Sequence, residues 1–350
     1  MSKRKKKVRY DRLIICFVAL LLIIIGIASA FKACVKAIGN DDEDNSKADK
    51  NNSSIADEAL PEDVPVVELE PTLTEYNFDY RDITFTEDID TNAYTHISKN
   101  ASDIGKGSLI LVNNETEYAF TGLEETEFVQ LNAVSDETYY VKDNTVLVNQ
   151  ILVDPLNDML LDFYELKGKQ INVISGYRSS ELQQQLYADD LAGTGLDYST
   201  LVAKPGCSEH HTGLALDFSI LSNGEYYSYD GIGDESWINE NCYKYGFILR
   251  YLADKEDFTM IQYESWHFRY IGIPHAFVVN SFGICYEEYI NALKSFEFGK
   301  RHLGVNINGE CYEIYYVPST DGTTQVSVPE TREYEISGNN RDGFIVTVKL

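Results

Sequence analysis

Basic residues are scarce in this chain outside its first 36 residues. The 350 residues contain 29 Lys and Arg against 56 Asp and Glu, a net charge of −27. Residues 1–36 hold nine of the basic residues and one Asp, so the remainder carries 20 basic and 55 acidic residues, a net charge of −35. Because binding to phosphates requires a basic face, this balance argues against nucleic acid as a partner and fits a solvated, secreted domain.

One long uncharged apolar run stands out, at residues 13–31, with seven Lys and Arg before it and Lys32 directly after it. Nineteen helical residues at about 1.5 Å each nearly cross a hydrocarbon core about 30 Å thick. The positive-inside rule then predicts a cytoplasmic basic tail at 1–12, a transmembrane signal anchor at 13–31, and the remainder outside the cell. Cleavage after the small-residue sequence at 28–30 is the alternative.

Aromatic and apolar residues are few in the segment that follows, so we predict a disordered acidic stalk at 32–72. Hydrophobic periodicity predicts a folded domain at 73–296 and a small, all-β C-terminal module at 305–350. In the first domain the predicted helices lie at 146–166, 181–191, 235–245 and 274–295, and the predicted strands at 108–112, 171–174, 214–220 and 268–271. In the module the predicted strands lie at 312–317, 325–328 and 343–348.

Histidine is rare as well, with six in the chain, yet three of them fall in two short segments rich in metal-ligand chemistry. SEHHTGLALD at 208–217 contains His210 and Asp217, and ESWH at 264–267 contains Glu264 and His267. Two His and one carboxylate form a ligand set that catalytic zinc uses, and a nearby non-ligand carboxylate can act as the general base. Spacing alone leaves open that these side chains are merely structural.

Three motifs closely resemble those of the metal-dependent D-alanyl-D-alanine carboxypeptidases of the VanY type, M15B-like members of the M15 peptidases. The motifs are SGYRSSELQ at 175–183, PGCSEHHTGLALD at 205–217 and ESWHFRY at 264–270. The resemblance extends over about residues 104–292. It implies an α+β fold in which helices flank an antiparallel sheet, as in hedgehog-type zinc domains.

The resemblance also implies roles for individual residues and one Zn²⁺ per chain. His210, Asp217 and His267 would bind the zinc, and Glu264 would be the catalytic base. A further group would hold the substrate: Arg178, Gln183 and Ser208. The family pattern usually has Gln where this chain has His211, so His211 is left outside the site.

The implied activity is that of a zinc carboxypeptidase, not a serine-type one, which removes the terminal D-Ala from peptidoglycan stem peptides outside a bacterial membrane. The same metal residues with a different substrate pocket would instead make the protein an L,D-carboxypeptidase or a peptidoglycan endopeptidase. A non-catalytic wall-binding module is the remaining alternative. A disulfide between Cys207 and Cys242 is compatible with an extracellular location and is left open.

Overall fold

A computed structural model of the chain describes residues 82–120, 127–222 and 224–350. The predicted cytoplasmic tail, membrane anchor and stalk lie outside these residues. Among the described residues, no helix is long and apolar enough to span a bilayer.

Strands and helices are interspersed between residues 128 and 293, and five consecutive strands follow. The strands are β1 (Ile83–Thr86), β2 (Tyr94–Asn100), β3 (Phe128–Gln130), β4 (Tyr140–Val141), β5 (Leu147–Asn149), β6 (Ile171–Ser175), β7 (Ala215–Ser222), β8 (Glu225–Ser228), β9 (Phe247–Leu249), β10 (His267–Tyr270), β11 (His302–Ile307), β12 (Glu310–Pro318), β13 (Thr323–Pro329), β14 (Tyr334–Gly338) and β15 (Gly343–Lys349). The helices are α1 (Leu131–Val134), α2 (Val153–Lys167), α3 (Ser180–Thr194), α4 (Ser236–Asn241), α5 (Glu256–Thr259), α6 (Ile273–Phe282) and α7 (Tyr286–Leu293).

A central sheet has the strand order β4-β6-β7-β10-β9, and β8 pairs with β7 beside this path. All of its pairings are antiparallel except the short parallel pair β4–β6. Helix α2 packs on this sheet because its apolar residues recur at helical spacing, with Leu156, Leu160 and Phe163 in the same buried cluster as the β7 residues Leu216 and Phe218. The predicted antiparallel sheet with flanking helices is therefore present.

A second, five-stranded sheet has the order β1-β11-β12-β15-β14, and β13 pairs separately with β2. The predicted tail strands are confirmed as β12, β13 and β15, but two of the tail strands pair with β1 and β2 from residues 83–100. Side chains of α6 and α7 share one buried cluster with β11, β12 and β15. The tail sheet is thus completed by the N-terminal strands, while the boundaries assigned to the module stay a prediction.

Most predicted elements around the motifs are confirmed, namely β6, α3, β7 and β10, and the region 274–295 forms the two helices α6 and α7. The region 235–245 is divided into α4 and two flanking 3-10 turns, and it ends at Gly246 with φ +84°. The glycine ends the turn because its positive φ is costly for other residues.

The predicted helix at 146–166 begins later, at Val153. Residues Leu147–Asn149 form β5 instead, paired with β3. Pro155 explains the late start, because it lacks the N–H that a helix interior requires and is tolerated only in the first turn.

The predicted strand at 108–112 is wrong, although its burial is correct. The segment pairs with no strand in the part of the chain that the structure describes. The carbonyls of Ser108 and Ile110 instead accept hydrogen bonds from Arg269 Nη2 at 2.9 and 3.0 Å. A side chain from β10 thus satisfies backbone groups that a neighbouring strand would otherwise pair.

Candidate active site

Strand pairing brings the candidate metal ligands together. Asp217 on β7 lies directly opposite His267 on β10 in the antiparallel register, so their side chains share one face. His210 lies in the 3-10 turn Glu209–Thr212 that leads into β7. One ligand atom from each of the three buried residues lies within 4.8 Å of the others, the geometry of a group that can hold a metal ion.

His210 presents its Nε2 atom to this cluster. Its Nδ1 lies 2.7 Å from the carbonyl oxygen of Gly176, which can only accept, so Nδ1 carries the proton. Nε2 lies 3.1 Å from Asp217 Oδ2. Burial, assisted by the nearby Arg178 charge, lowers the pKa of His210 to about 4, so the ring is neutral at pH 7, the form that binds metals.

His267 faces the cluster with its Nδ1 atom, whereas His210 uses Nε2. Its Nδ1 lies 3.2 Å from Asp217 Oδ1 and 3.5 Å from Glu264 Oε2. Burial lowers the pKa of His267, but the carboxylates of Asp217, Glu209 and Glu264 around the ring outweigh that effect and raise the pKa to about 9. The surrounding carboxylates therefore favour a positive charge at this point, which a bound cation would supply.

The polar atoms at this point fit a metal ion. Asp217 Oδ1 is buried and forms no hydrogen bond with any of the described residues. A buried carboxylate oxygen without a hydrogen bond is costly, and coordination to a cation removes that cost. Two imidazole nitrogens and one carboxylate are a ligand set that would hold zinc and leave a further position for water or substrate.

Glu264 lies beside the candidate ligands, in the segment before β10. Its backbone N–H donates to the carbonyl of Tyr251, and its carbonyl accepts from the N–H of His267, so the turn that enters β10 fixes it. The side chain is almost fully buried. Burial raises the pKa of Glu264 to about 8, opposed by His267 and assisted by Asp217, so this carboxyl group can exchange a proton near neutral pH.

Arg178 lies next to the cluster and is held by its neighbours. It donates from Nη1 to Gln183 Oε1 at 2.9 Å and from Nη2 to Ser175 Oγ at 3.1 Å, and Nη2 also lies 3.3 Å from Asp217 Oδ2. Gln183 in turn donates to the carbonyl of Ala203 at 2.7 Å. A guanidinium group in a fixed position is suited to two-point recognition of a carboxylate.

These side chains line one cleft of about 260 Å³. The cleft contains all seven residues singled out from the sequence, which are Arg178, Gln183, Ser208, His210, Asp217, Glu264 and His267. Its remaining walls are mainly apolar, formed by Leu186, Leu201, Val202, Ala203, Tyr251, Ile261 and Trp266. Ser208 has a second use, since its Oγ accepts the N–H of His210 at 3.4 Å and caps the turn.

His211 points away from the metal-ligand group. Its Nδ1 donates to the carbonyl of Arg178 at 2.7 Å, and its Nε2 accepts the N–H of Gly206 at 3.1 Å. The ring thus joins two of the sequence motifs and supports the position of Arg178.

Three fully buried charged residues beneath the cluster were not predicted: Glu209, Arg250 and Arg269. Two of them, Glu209 and Arg269, lie inside the motifs, but only the fold shows that they meet. Arg250, which follows β9, carries no signal in the sequence. Tyr251, the next residue, was also missed and packs its ring 4.9 Å from that of His267.

The disulfide left open between Cys207 and Cys242 is not formed. Both thiols are free and buried, as is that of Cys285. Burial raises the pKa of the Cys207 thiol, which keeps it protonated and unreactive.

The comparisons with known proteins agree with this geometry. The model of the VanY family, D-alanyl-D-alanine carboxypeptidase, matches residues 146–273. A D-alanyl-D-alanine carboxypeptidase of Enterococcus faecium is 36% identical over 246 residues, which span 69% of this chain and 75% of that protein. The chain belongs to the VanY family. This family is zinc-dependent, and the group of His210, Asp217 and His267 offers the ligands.

Two further relatives extend this result. A bifunctional D-Ala-D-Ala dipeptidase and D-Ala-D-Ala carboxypeptidase, VanXYC of Enterococcus gallinarum, is 39% identical over 127 residues, 35% of this chain and 66% of that protein. The crystal structure of the vancomycin resistance D,D-dipeptidase VanXYg, in complex with a D-Ala-D-Ala phosphinate analogue, matches with a TM-score of 0.66 at 31% identity. That match covers 73% of this chain and 99% of VanXYg, so the mixed α/β fold of this VanY-family chain is that of the zinc peptidases.

Gly213 directly follows the His210 turn, at a position where a side chain would be strained. Gly213 has φ +68°, and a Cβ atom there would collide with the ring of Phe128. We expect Gly213→Ala to lower the free energy of unfolding by about 2–4 kcal/mol, from the left-handed backbone and the collision together. Denaturant unfolding would measure it.

The matched control is Gly195→Ala at the end of α3. Gly195 has φ +70° but nothing within 4 Å of an added Cβ, so only the backbone cost of about 1 kcal/mol applies. Equal losses of stability in the two variants would show that the contact with Phe128 does not restrict position 213.

Proposed function

We propose that this protein is a zinc-dependent D-alanyl-D-alanine carboxypeptidase that removes the terminal D-Ala from peptidoglycan stem peptides. The observation that carries the proposal is the position of Arg178 in the same cleft as the zinc-ligand group and Glu264. A carboxypeptidase must recognise a free carboxylate next to the bond it cuts, and here the fixed guanidinium group lies beside the candidate metal ligand Asp217.

We assign the zinc to His210 Nε2, Asp217 and His267 Nδ1. Bound there, zinc supplies a Lewis acid that lowers the pKa of water and polarises a carbonyl. Arg178, held by Gln183, binds the terminal carboxylate and so orients the scissile bond toward the metal.

Glu264 is the group we assign to proton transfer. Its buried carboxylate accepts the proton of the attacking water and then delivers it to the amine of the departing D-alanine. The apolar walls of the cleft limit the access of bulk water, which strengthens the charge interactions inside the cleft.

The test is to incubate the full-length protein with a muramyl pentapeptide and read the products by mass spectrometry. The proposal expects loss of a single alanine, abolished by a chelator and restored by zinc. Cleavage of a tetrapeptide or a crosslinked stem, with the pentapeptide left intact, would replace it by an L,D-carboxypeptidase or endopeptidase. Stem binding without turnover by zinc-loaded protein would instead support a wall-binding module.

The role of Arg178 predicts a requirement for a free C-terminal carboxylate. A pentapeptide with an amidated C-terminus lacks the charge that the guanidinium group binds, so we expect its kcat/KM to fall by about 100-fold or more, the value of a buried charge-assisted contact. Comparable cleavage of the acid and the amide in the same assay would remove Arg178 from carboxylate recognition.

The roles of Glu264 and His210 predict different defects, in turnover for one and in zinc binding for the other. Glu264→Ala keeps all three ligands, so we expect normal zinc content with kcat reduced by about 10²–10⁴-fold. His210→Ala removes a ligand, and we expect zinc binding weaker by more than about 100-fold. Metal analysis and steady-state kinetics on both variants separate the roles; near-normal turnover by Glu264→Ala would contradict the assignment.

We further propose that residues 13–31 anchor the protein in a bacterial membrane, with the stalk at 32–72 and the catalytic domain at 73–296 outside the cell. The support is the apolar run and the basic residues before it. Within this proposal, residues 305–350 form a β-rich C-terminal module.

The membrane proposal predicts that the protein stays in the membrane fraction after a high-salt wash and that protease added to intact protoplasts degrades its catalytic domain. N-terminal sequencing distinguishes the alternatives. A mature chain that begins after residue 30 and is released into the medium would show a cleaved signal peptide instead.

A further inference from the structure

Glu209 lies directly beneath the candidate metal ligands and is completely buried. Its Oε1 accepts a hydrogen bond from Arg250 Nε at 2.8 Å, and Arg269 Nη1 lies 3.1 Å from the same oxygen. Its second oxygen, Oε2, points the other way, toward His267 Nε2 at 3.6 Å. Glu209 therefore lies between the two arginine side chains and the Nε2 edge of the His267 ring.

The two atoms that face each other are not used elsewhere. Glu209 Oε2 and His267 Nε2 are buried, and among the described residues neither forms a hydrogen bond. The distance of 3.6 Å between Glu209 Oε2 and His267 Nε2 is a few tenths of an ångström longer than a hydrogen bond. Because an ionised carboxylate only accepts, closing this gap forms a hydrogen bond only if His267 Nε2 carries the proton. That tautomer leaves the lone pair on Nδ1, the nitrogen that faces Asp217 and Glu264.

The two arginines hold Glu209 in this orientation. Arg250 is bound on its far side by Glu287 of α7, at 2.9 and 2.6 Å, and Arg269 donates to the carbonyls of Ser108 and Ile110. Neither guanidinium group can therefore turn away, and neither can accept a hydrogen bond. The oxygen that faces them must remain an acceptor.

The structure assigns Glu209 as the positioning residue that fixes His267 with its proton on Nε2 and so presents Nδ1 to the metal. This inference rests on the zinc site of the proposed function and adds a residue outside its ligand set. Carboxylates that orient ligand histidines in this way typically change metal affinity by about 10–100-fold when they are removed.

Glu209→Gln tests the assignment with almost no change in shape. The amide has one oxygen and one NH₂ group, and the arginines require the oxygen. The NH₂ group then faces His267 Nε2 and favours the tautomer with the proton on Nδ1. In that tautomer Nδ1 has no free lone pair with which to bind zinc. We expect zinc affinity, measured by competition with a chromogenic chelator, to fall by about 10–100-fold.

Glu288→Gln is the matched control. Glu288 is also buried and ion-paired, with Lys255, but it does not contact Glu209 or His267. We expect the zinc affinity of this variant to stay within about twofold of wild type. The substitution also removes a buried carboxylate, but it leaves the surroundings of the His267 ring unaltered. Equal weakening in the two variants, or wild-type affinity in Glu209→Gln, would overturn the assignment.

A second measurement needs no variant. In zinc-loaded wild-type protein labelled with ¹⁵N-histidine, NMR should show His267 with zinc on Nδ1 and a proton on Nε2. A ring bound through Nε2 would overturn the inference even if zinc binds and the pentapeptide is cleaved. Wild-type protein that neither binds zinc nor cleaves stem peptides would instead contradict the proposed function, so the two failures are distinct.

Discussion

The pairing of β7 with β10 places Asp217 opposite His267, and the rest of the site is arranged around that register. A shift by one residue would turn one of these side chains to the other face of the sheet and abolish the cluster. The register is secured by the core beneath it, where Phe218 and Phe268 stack at 4.7 Å between ring centroids. The positions of Asp217 and His267 in the candidate metal site are therefore a consequence of sheet packing, which holds distances more tightly than a loop would.

A buried layer of charge supports this pairing from below. Arg250 and Arg269 are both fully buried and share Glu209, while Glu287 completes the balance. Such a layer is costly to desolvate and remains favourable only while every partner is present. Because Glu287 belongs to α7, which shares its core with the tail sheet, the candidate metal centre is connected to parts of the chain that contribute no ligand.

The local part of the candidate site could be predicted from the sequence, since the candidate ligands and the candidate base lie in short motifs of recognisable chemistry. The sequence did not reveal partners that only long-range contacts bring together. Arg250 looks like an ordinary charged residue until the fold buries it, and 108–112 looks like a strand until Arg269 is seen to satisfy its carbonyls. Likewise β1 pairs with β11 across more than two hundred residues, a contact that no periodicity encodes.

The most direct measurement is anomalous diffraction at the zinc edge from crystals of the zinc-loaded protein. We expect one strong peak at about 2.0–2.2 Å from His210 Nε2, an Asp217 carboxylate oxygen and His267 Nδ1, with Glu264 close by and not bound. A peak at any other group of residues, or a zinc that includes Glu264 among its ligands in place of one of the three, would contradict it.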